Sequence, residues 1–427
     1  MFATVTQLWF PIVCLLSGIL IAKLTELSFS AGIPYRELLI EPSARENATF
    51  VVLSRNSDVY GLARSIRSVE DRFNRRHGYD WIFLNDVPFN EEFINVTSSL
   101  VSGKAKYGLI PQEHWSYPAW IDQDKAAEIR RQAAKEYKYG DSESYRHMCR
   151  YFSGFFFQHK LLQSYDYYWR VEPDIELWCD INFDPFRIMR TNKKKISFVI
   201  TLVEIPGTIT TLWQTVKEFF KSHPQYLSKV SSKDFLSSDG GKTYSGCHFW
   251  SNFEIGSFDW LRSQPYQEFF NYLDKAGGFF YERWGDAPVH TIAAGLLLNR
   301  SEIHFFNEIG YSHDLYTRCP TGATSRQELK CHCDPAKNFD WGQLSCLPAW
   351  YKFHQLPFPL GYEEELPLIE AEERRLYGEE EEDQDQDQEL ALEELRKVRE
   401  LRKKIEEARS AKDQAKSVPN DPKHDEL

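Results

Sequence analysis

The sequence has no basic excess, no internal repeat and no glycine-rich phosphate loop. Its formal charge is -12, but residues 362–427 hold 23 Asp/Glu and 12 Lys/Arg and so carry -11 of it. The rest of the chain is nearly neutral and lacks the positive charge that neutralises the phosphates of a nucleic acid. The sequence therefore argues against a nucleic-acid-binding protein.

The chain is too long for a small disulfide scaffold and too apolar for a disordered protein. It has 427 residues and a mass of 50.2 kDa, with 42% hydrophobic, 27% charged and 15% aromatic residues. This length and composition predict a globular body equivalent to two or three average domains.

The two ends of the chain predict its compartment. No charged side chain occurs between Phe2 and Ala22, so this segment can enter a bilayer as a signal anchor or be a cleaved signal peptide. The chain ends in His424-Asp425-Glu426-Leu427, a tetrapeptide read by a retrieval receptor of the endoplasmic reticulum. We therefore expect a protein of the endoplasmic reticulum lumen, or a type II protein of the endoplasmic reticulum or Golgi membrane that faces the lumen.

Glycosylation sequons and cysteines agree with a luminal, oxidising compartment. Acceptor sequons begin at Asn47, Asn95 and Asn299. We expect two disulfides rather than zinc among the four cysteines clustered late in the chain, Cys319, Cys331, Cys333 and Cys346. The other luminal cysteines are Cys149, Cys179 and Cys247. Because they are odd in number, at least one thiol should be free or paired outside this set.

Strand and helix patterns alternate along residues 45–361. An apolar strand at 49–53, helical periodicity over 61–76 and a second strand at 79–84 form a strand–helix–strand unit. Further helices are predicted over 124–137, 145–163, 212–220, 266–275 and 287–298, and further strands over 165–171 and 196–202. The alternation predicts an α/β fold with mainly parallel strands.

Composition divides the chain into four parts. Residues 1–23 are the anchor or signal peptide, 24–44 a short stem, 45–361 the folded domain and 362–427 a charged tail. The tail begins with Glu and Asp-Gln repeats and becomes rich in Leu, Glu, Lys and Arg over 389–416. We expect the latter stretch to be a solvated helix.

The most informative motif is Glu172-Pro173-Asp174, which follows the apolar strand predicted over 165–171. Ligands bind at the carboxyl ends of strands in open α/β sheets, and the proline fixes the backbone between the two carboxylates. Carboxylate and phosphate oxygens suit a hard divalent cation that bridges a diphosphate. The alternative is an ordinary turn at a strand end.

Three further residues are candidates for a site, each with a structural alternative. Glu254 lies among aromatic residues and is either a satisfied structural carboxylate or a tuned catalytic one. Asp286, followed by Pro288, either caps a helix or contacts substrate. His313 is either a metal ligand or a structural histidine.

Five motifs in order make residues 45 to about 346 resemble the fungal GDP-mannose-dependent α-1,2-mannosyltransferases, glycosyltransferase family 15. They are Glu113-His114-Trp115-Ser116, Ser144-Tyr145-Arg146-His147-Met148-Cys149-Arg150, Trp169-Arg170-Val171-Glu172-Pro173-Asp174, His248-Phe249-Trp250-Ser251-Asn252-Phe253-Glu254-Ile255 and Tyr281-Glu282-Arg283-Trp284-Gly285-Asp286-Ala287-Pro288. The resemblance implies a GT-A-like fold with a mixed, mainly parallel sheet, a manganese ion, GDP-mannose as donor and retention of the α configuration. It implies a mannose-terminated, protein-linked glycan as acceptor.

The resemblance also implies roles for individual residues. Glu172 and His313 match the metal ligands of the family, and Glu254 matches its proposed nucleophile, which could equally stabilise an oxocarbenium-like centre. Tyr145 would line the donor site beside Glu254. The residues expected to bind the donor are Arg55, Arg170, Asp174 and Asp286.

Two rival functions remain open at this point. A glycosidase could use Glu172 and Glu254 as its carboxylate pair. A luminal lectin or chaperone-like protein could keep the fold and the aromatic residues without turnover.

Overall fold

The structure is a computed structural model that describes residues 45–377. The predicted apolar segment, the stem and the tail beyond residue 377 lie outside the described residues. Within 45–377, no helix is both long and apolar enough to cross a membrane. The predictions for residues 1–44 and 378–427 therefore stay predictions.

A seven-stranded sheet forms the centre of the fold, in the order β10-β6-β9-β4-β1-β2-β3. Strand β1 is parallel to β2 and β4, β2 to β3, and β10 to β6, whereas β9 is antiparallel to both of its neighbours, β4 and β6. Its strands are β1 (Ala48–Leu53), β2 (Asp80–Asn85), β3 (Ala105–Leu109), β4 (Tyr167–Arg170), β6 (Ile196–Phe198), β9 (Glu254–Ser257) and β10 (Ile303–Phe305). The predicted mixed, mainly parallel sheet is confirmed.

Two small antiparallel sheets extend this architecture. One has the order β12-β11-β5, and the other pairs β7 with β8. Their strands are β5 (Ile175–Leu177), β7 (Thr201–Val203), β8 (Cys247–Phe249), β11 (Tyr311–His313) and β12 (Tyr316–Arg318). Because β5 follows β4 after only four residues, the small sheet that contains His313 is tied to the end of β4.

Helices cover both faces of the central sheet, and each face has its own buried core. The α-helices of the described chain are α1 (Val59–Arg72), α2 (Glu91–Leu100), α3 (Gln123–Ala133), α4 (Glu143–Gly154), α5 (Pro185–Thr191), α6 (Leu212–Ser222), α7 (Lys233–Leu236), α8 (Phe258–Leu261), α9 (Gln264–Ala276), α10 (Gly278–Tyr281), α11 (Asp286–Leu297), α12 (Ala323–Glu328), α13 (Leu347–His354) and α14 (Tyr362–Tyr377).

The predicted strand–helix–strand unit is confirmed as β1–α1–β2. Helix α1 buries Leu62, Ile66 and Val69, which recur at helical spacing and pack on one face of the sheet. The helix ends where Phe73 leaves the helical region at φ -140°, although its N–H still bonds to the carbonyl of Val69 at 2.9 Å. Apolar periodicity alone was enough to locate this unit.

Three predicted elements are wrong in extent, and the first is the helix predicted over 124–137, which ends at Ala133. The helix predicted over 145–163 ends at Gly154, and two short 3₁₀ turns follow it at Phe156–Gln158 and Lys160–Leu162. The three consecutive Phe residues at 155–157 would spread around a regular helix, whereas the irregular turns bury both Phe156 and Phe157. The strand predicted over 196–202 is two strands, β6 and β7, in different sheets, and the sequence, apolar except for Ser197 and Thr201, gives no sign of the break.

Helix α11 is buried on all sides from Asp286 to Leu296. A helix without a solvent face can carry polar residues into the core only where each of them finds a partner.

Helix α14 begins at the predicted boundary between body and tail and packs on the body. Ile369 is buried, and buried Glu365 accepts a hydrogen bond from the N–H of Gly322 at 2.8 Å.

The disulfide pairing differs from the expectation. The bonds are Cys179–Cys331, Cys247–Cys346 and Cys319–Cys333, so only one of them lies within the late cluster. The expected pairing of all four clustered cysteines among themselves is wrong, because the fold brings Cys179 and Cys247 beside two of them. The preference for disulfides over zinc is confirmed. At least one of Cys149, Cys179 and Cys247 was expected to be free or paired elsewhere, and the free one is Cys149, which is buried.

Candidate active site

Arg170, the last residue of β4, is the centre of a buried charged network. Its guanidinium donates hydrogen bonds to the carboxylates of Asp286 and Glu172, and its Cζ lies 3.6 Å from the centre of the Phe152 ring. The side chain is only 3% exposed. Burial lowers the pKa of Arg170, but the two carboxylates raise it by more, so that the net pKa is raised and the guanidinium stays charged.

Asp286 is the second carboxylate of this network. It is the first residue of α11, and it accepts hydrogen bonds from Arg170 and from the Ser251 hydroxyl at 2.7 Å. Burial raises the pKa of Asp286, but Arg170 and His290 lower it by more, so the carboxyl is ionised. The capping alternative is wrong by one residue, because Gly285 occupies the N-cap position and the Asp286 side chain faces the core network instead.

Glu254 lies opposite Arg170 across the antiparallel pair of β4 and β9. Its carboxylate accepts a hydrogen bond from the Tyr168 hydroxyl, and both of its oxygens lie 3.0 Å from Nδ1 of His290. Nε2 of His290 in turn lies 3.1 Å from the carbonyl oxygen of Phe152. With both ring nitrogens next to oxygen atoms, the ring fits the doubly protonated form.

The protonation states of this group follow from burial and charge. Glu254 and His290 are each buried. Burial lowers the pKa of His290, but the carboxylate of Glu254 raises it by more, and the net pKa lies above its ordinary value. Burial and the same carboxylate raise the pKa of Tyr168 well above its ordinary value, so its hydroxyl remains a donor. Glu254 is therefore held by a neutral donor and a cationic one.

The two predicted metal ligands converge at the sheet edge. Oε2 of Glu172 lies 3.7 Å from Nε2 of His313, and both side chains are about one fifth exposed. Carboxylate oxygen suits manganese, and histidine is a common ligand of metal ions in general. Residues 45–377 contain no group of three or more His, Cys, Asp or Glu side chains placed to hold a metal. Glu172 and His313 would together offer a divalent cation two ligands at this position.

Three other residues predicted at the donor site, Arg55, Tyr145 and Asp174, have partners of their own. Arg55, after β1, donates a hydrogen bond from its Nη2 to the hydroxyl of Ser144 at 2.7 Å, next to Tyr145. Tyr145 stacks on Tyr139 with ring centres 4.7 Å apart. Asp174, at φ 60°, is exposed and pairs with Arg64 of α1. The structure thus places the Asp174 carboxylate beside α1, outside the Arg170 network.

Glu204 is a neighbouring carboxylate that the sequence reasoning missed. It follows β7, and its Oε1 accepts a hydrogen bond from the N–H of Ile205 at 2.9 Å. Its carboxylate oxygens lie 4.0 Å from Nδ1 of His248 and 4.0 Å from a guanidinium nitrogen of Arg283, whose Cζ is 5.2 Å from the Tyr145 ring centre. The sequence feature that could have indicated Glu204 is the one that indicated Glu172, a carboxylate close after an apolar strand.

The three sequons lie on the surface of the described chain. Asn47, Asn95 and Asn299 are each exposed. Thr97 of the second sequon is buried, and its hydroxyl donates to the carbonyl of Phe93 at 2.7 Å within α2. Their glycosylation stays a prediction.

A mixed, mainly parallel sheet with this charged network at one edge defines an α/β glycosyltransferase fold. The family model described as glycolipid 2-alpha-mannosyltransferase matches residues 25–355. The chain therefore belongs to that family, glycosyltransferase family 15, as its motifs predicted.

Individual relatives agree with this assignment. Alpha-1,2 mannosyltransferase KTR1 of Saccharomyces cerevisiae is 54% identical over 342 residues, which cover 79% of this chain and 87% of the relative. Glycolipid 2-alpha-mannosyltransferase 1 of Candida albicans is 57% identical over 317 residues, 74% of each chain. The crystal structure of core-mannan synthase A from Aspergillus fumigatus in its Mn/GDP form has a TM-score of 0.68 at 38% identity and covers 74% of this chain and 87% of its own.

Proposed function

We propose that this protein is a retaining α-1,2-mannosyltransferase that moves mannose from GDP-mannose to a mannose-terminated, protein-linked glycan and depends on manganese. One observation carries the proposal: Glu172 and His313 converge to 3.7 Å at the carboxyl end of β4, beside a buried arginine. Names of relatives at 54% and 57% identity and the Mn/GDP form of a structural neighbour support it.

In this proposal Glu172 and His313 hold the manganese ion. When bound, the ion stabilises the negative charge that develops on the GDP leaving group. Arg55 lies at the surface of the same edge, where its guanidinium can reach a phosphate.

Arg170 and Asp286 act in this proposal by positioning rather than by contact with the donor. Both side chains are at most 5% exposed. Arg170 donates to Glu172 through one guanidinium nitrogen and to Asp286 through another, and the Ser251 hydroxyl donates to Asp286. The clamp fixes the direction of the Glu172 carboxylate, which preorganises a metal-binding oxygen.

Glu254 acts here as an electrostatic stabiliser of the oxocarbenium-like centre. Both of its oxygens are engaged by Tyr168 and His290, and hydrogen bonds of this kind reduce the nucleophilicity of a carboxylate. The Glu254 carboxylate is nevertheless fixed in position on β9 and would favour positive charge at the sugar without reorganisation, with the charge of His290 offsetting part of this effect. Front-face attack by the acceptor hydroxyl fits this role better than a covalent intermediate does.

The remaining predictions complete the proposal. Residues 1–23 act as a signal anchor or signal peptide, 24–44 as a stem, 45–361 as the catalytic domain and 362–427 as a charged tail with a retrieval signal, whose first helix, α14, packs on the body. The apolar segment and the last four residues support a type II or luminal protein retained in the endoplasmic reticulum.

Two parallel incubations distinguish the three candidate functions. The protein is mixed with GDP-mannose, Mn²⁺ and methyl α-mannoside, and in parallel with a mannose oligosaccharide alone. A transferase makes a disaccharide and GDP, a glycosidase releases mannose from the oligosaccharide, and a lectin does neither. If no mannoside supports GDP release that EDTA abolishes, the proposed function is wrong.

A further inference from the structure

The imidazole of His313 has a different neighbour at each ring nitrogen. Nε2 faces the carboxylate of Glu172 at 3.7 Å. Nδ1 lies 3.1 Å from Nδ2 of Asn252. The edge of the ring is further confined by Trp250, whose ring centre is 5.5 Å away. The ring can therefore turn little without losing the Asn252 contact.

Asn252 is buried in the turn between β8 and β9 and is only 5% exposed. Its Oδ1 accepts a hydrogen bond from the hydroxyl of Tyr311 at 3.0 Å. Tyr311 and His313 are two residues apart on β11 and therefore face the same side of that strand. One amide thus bridges two side chains of the strand that carries the proposed metal ligand.

The chemistry of an imidazole ligand imposes a condition on this amide. A neutral histidine that binds a cation through Nε2 carries its hydrogen on Nδ1 and needs an acceptor there. The amide oxygen and nitrogen of asparagine are nearly identical in shape, and their assignment follows from the hydrogen-bond network. A half-turn of the Asn252 amide places Oδ1 on the Nδ1 hydrogen and Nδ2 on the hydroxyl oxygen of Tyr311. Both contacts are kept in either orientation.

We infer that Asn252 is a positioning residue that accepts the Nδ1 hydrogen of His313 and so leaves Nε2 free for the cation. Tyr311 completes the arrangement because its hydroxyl can donate to the amide oxygen or accept from the amide nitrogen. This inference rests on the proposed function, since it assumes that His313 is a metal ligand.

Titration calorimetry of Mn²⁺ into the full chain, in the presence of GDP, tests the inference. Removal of an outer partner of a metal-bound histidine typically costs about 10- to 100-fold in affinity, and we expect this loss for Asn252→Ala. Asn252→Asp keeps an acceptor for the Nδ1 hydrogen, and we expect it to restore most of the affinity. Asn74→Ala is the matched control, because Asn74 is also buried and hydrogen-bonded but belongs to the segment after α1.

The possible outcomes separate the inference from the proposed function. If His313→Ala weakens Mn²⁺ binding and Asn252→Ala does not, the inference alone is wrong. Equal losses in Asn252→Ala and Asn252→Asp would also overturn it, because a merely structural amide is not replaced by an acceptor. If the unaltered chain binds no Mn²⁺ with GDP, the proposed function and the inference both fail. Should Asn252→Ala not fold in a thermal melt, Asn252→Leu, which refills the buried volume, replaces it.

Discussion

The buried position of Arg170 makes Asp286→Asn a sharp test of the charged network. Asn keeps the shape of the side chain and can still accept from Ser251, but it removes one of the two negative charges that balance the guanidinium. Breaking a buried ion pair typically costs about 3–5 kcal/mol. Since Glu172 still pairs with Arg170, we expect the lower end, about 3 kcal/mol of unfolding free energy.

Urea unfolding of the oxidised protein, followed by tryptophan fluorescence, measures this loss. A thermal melt is a second measurement: at about 2 °C per kcal/mol for a body of this size, the melting temperature should fall by about 6 °C. Asp174→Asn is the control, because it breaks the Arg64–Asp174 pair, whose side chains are 70% and 60% exposed. Asparagine tolerates the positive φ at that position, and the loss should stay below about 1 kcal/mol. Equal losses in the two variants would refute a buried network at Arg170.

Four further predictions follow from the site and the chain ends. Glu254→Gln should lower kcat by about 10²- to 10³-fold and leave GDP-mannose binding nearly unchanged in calorimetry, because the charge acts mainly in the transition state. Equal losses in binding and turnover would argue against a role of Glu254 in the transition state. The pKa of His290 is raised in the folded state, so its pair with Glu254 stabilises the protein below the ordinary histidine pKa, and this contribution is lost as pH rises through the raised value. The difference in urea midpoint between the natural protein and His290→Asn should therefore shrink from pH 6 to pH 9. A difference that stays constant over this range would contradict the prediction. Glu172→Ala and His313→Ala should each weaken manganese-dependent GDP binding, whereas unchanged calorimetry in both would remove the metal assignment. Deletion of His424 to Leu427 should move the protein to the Golgi or the medium without loss of specific activity, as fractionation and an activity assay can check; an unchanged distribution would mean that the retrieval signal is not functional.

The sequence predicted the part of the fold that depends on local patterns. Apolar segments located β1, β2 and β4, and apolar residues at helical spacing located α1. These patterns are visible because buried positions recur at the period of the strand or helix. It did not predict that β9 pairs antiparallel with β4, since strand pairing depends on distant parts of the chain. That pairing is what brings Glu254 opposite Arg170.

The sequence named candidate residues for the site but not the contacts that connect them. Asp286 was taken for a possible cap because local sequence favours that interpretation, whereas its contact with Arg170 joins residues 116 positions apart. His290 was not singled out, although its spacing of four residues from Asp286 puts both on one face of α11 and could have indicated it. The disulfide pairs failed for the same physical reason: two of the three join distant segments.

Analysis of the transfer product by NMR tests the central claim most directly. The full chain is incubated with GDP-mannose, Mn²⁺ and methyl α-mannoside, and the first disaccharide formed is examined before the donor is exhausted. We expect an α-configured mannose linked to the 2-hydroxyl of the acceptor, with no product after EDTA treatment. A β-configured product, a different linkage, or product formation that resists EDTA would contradict the account.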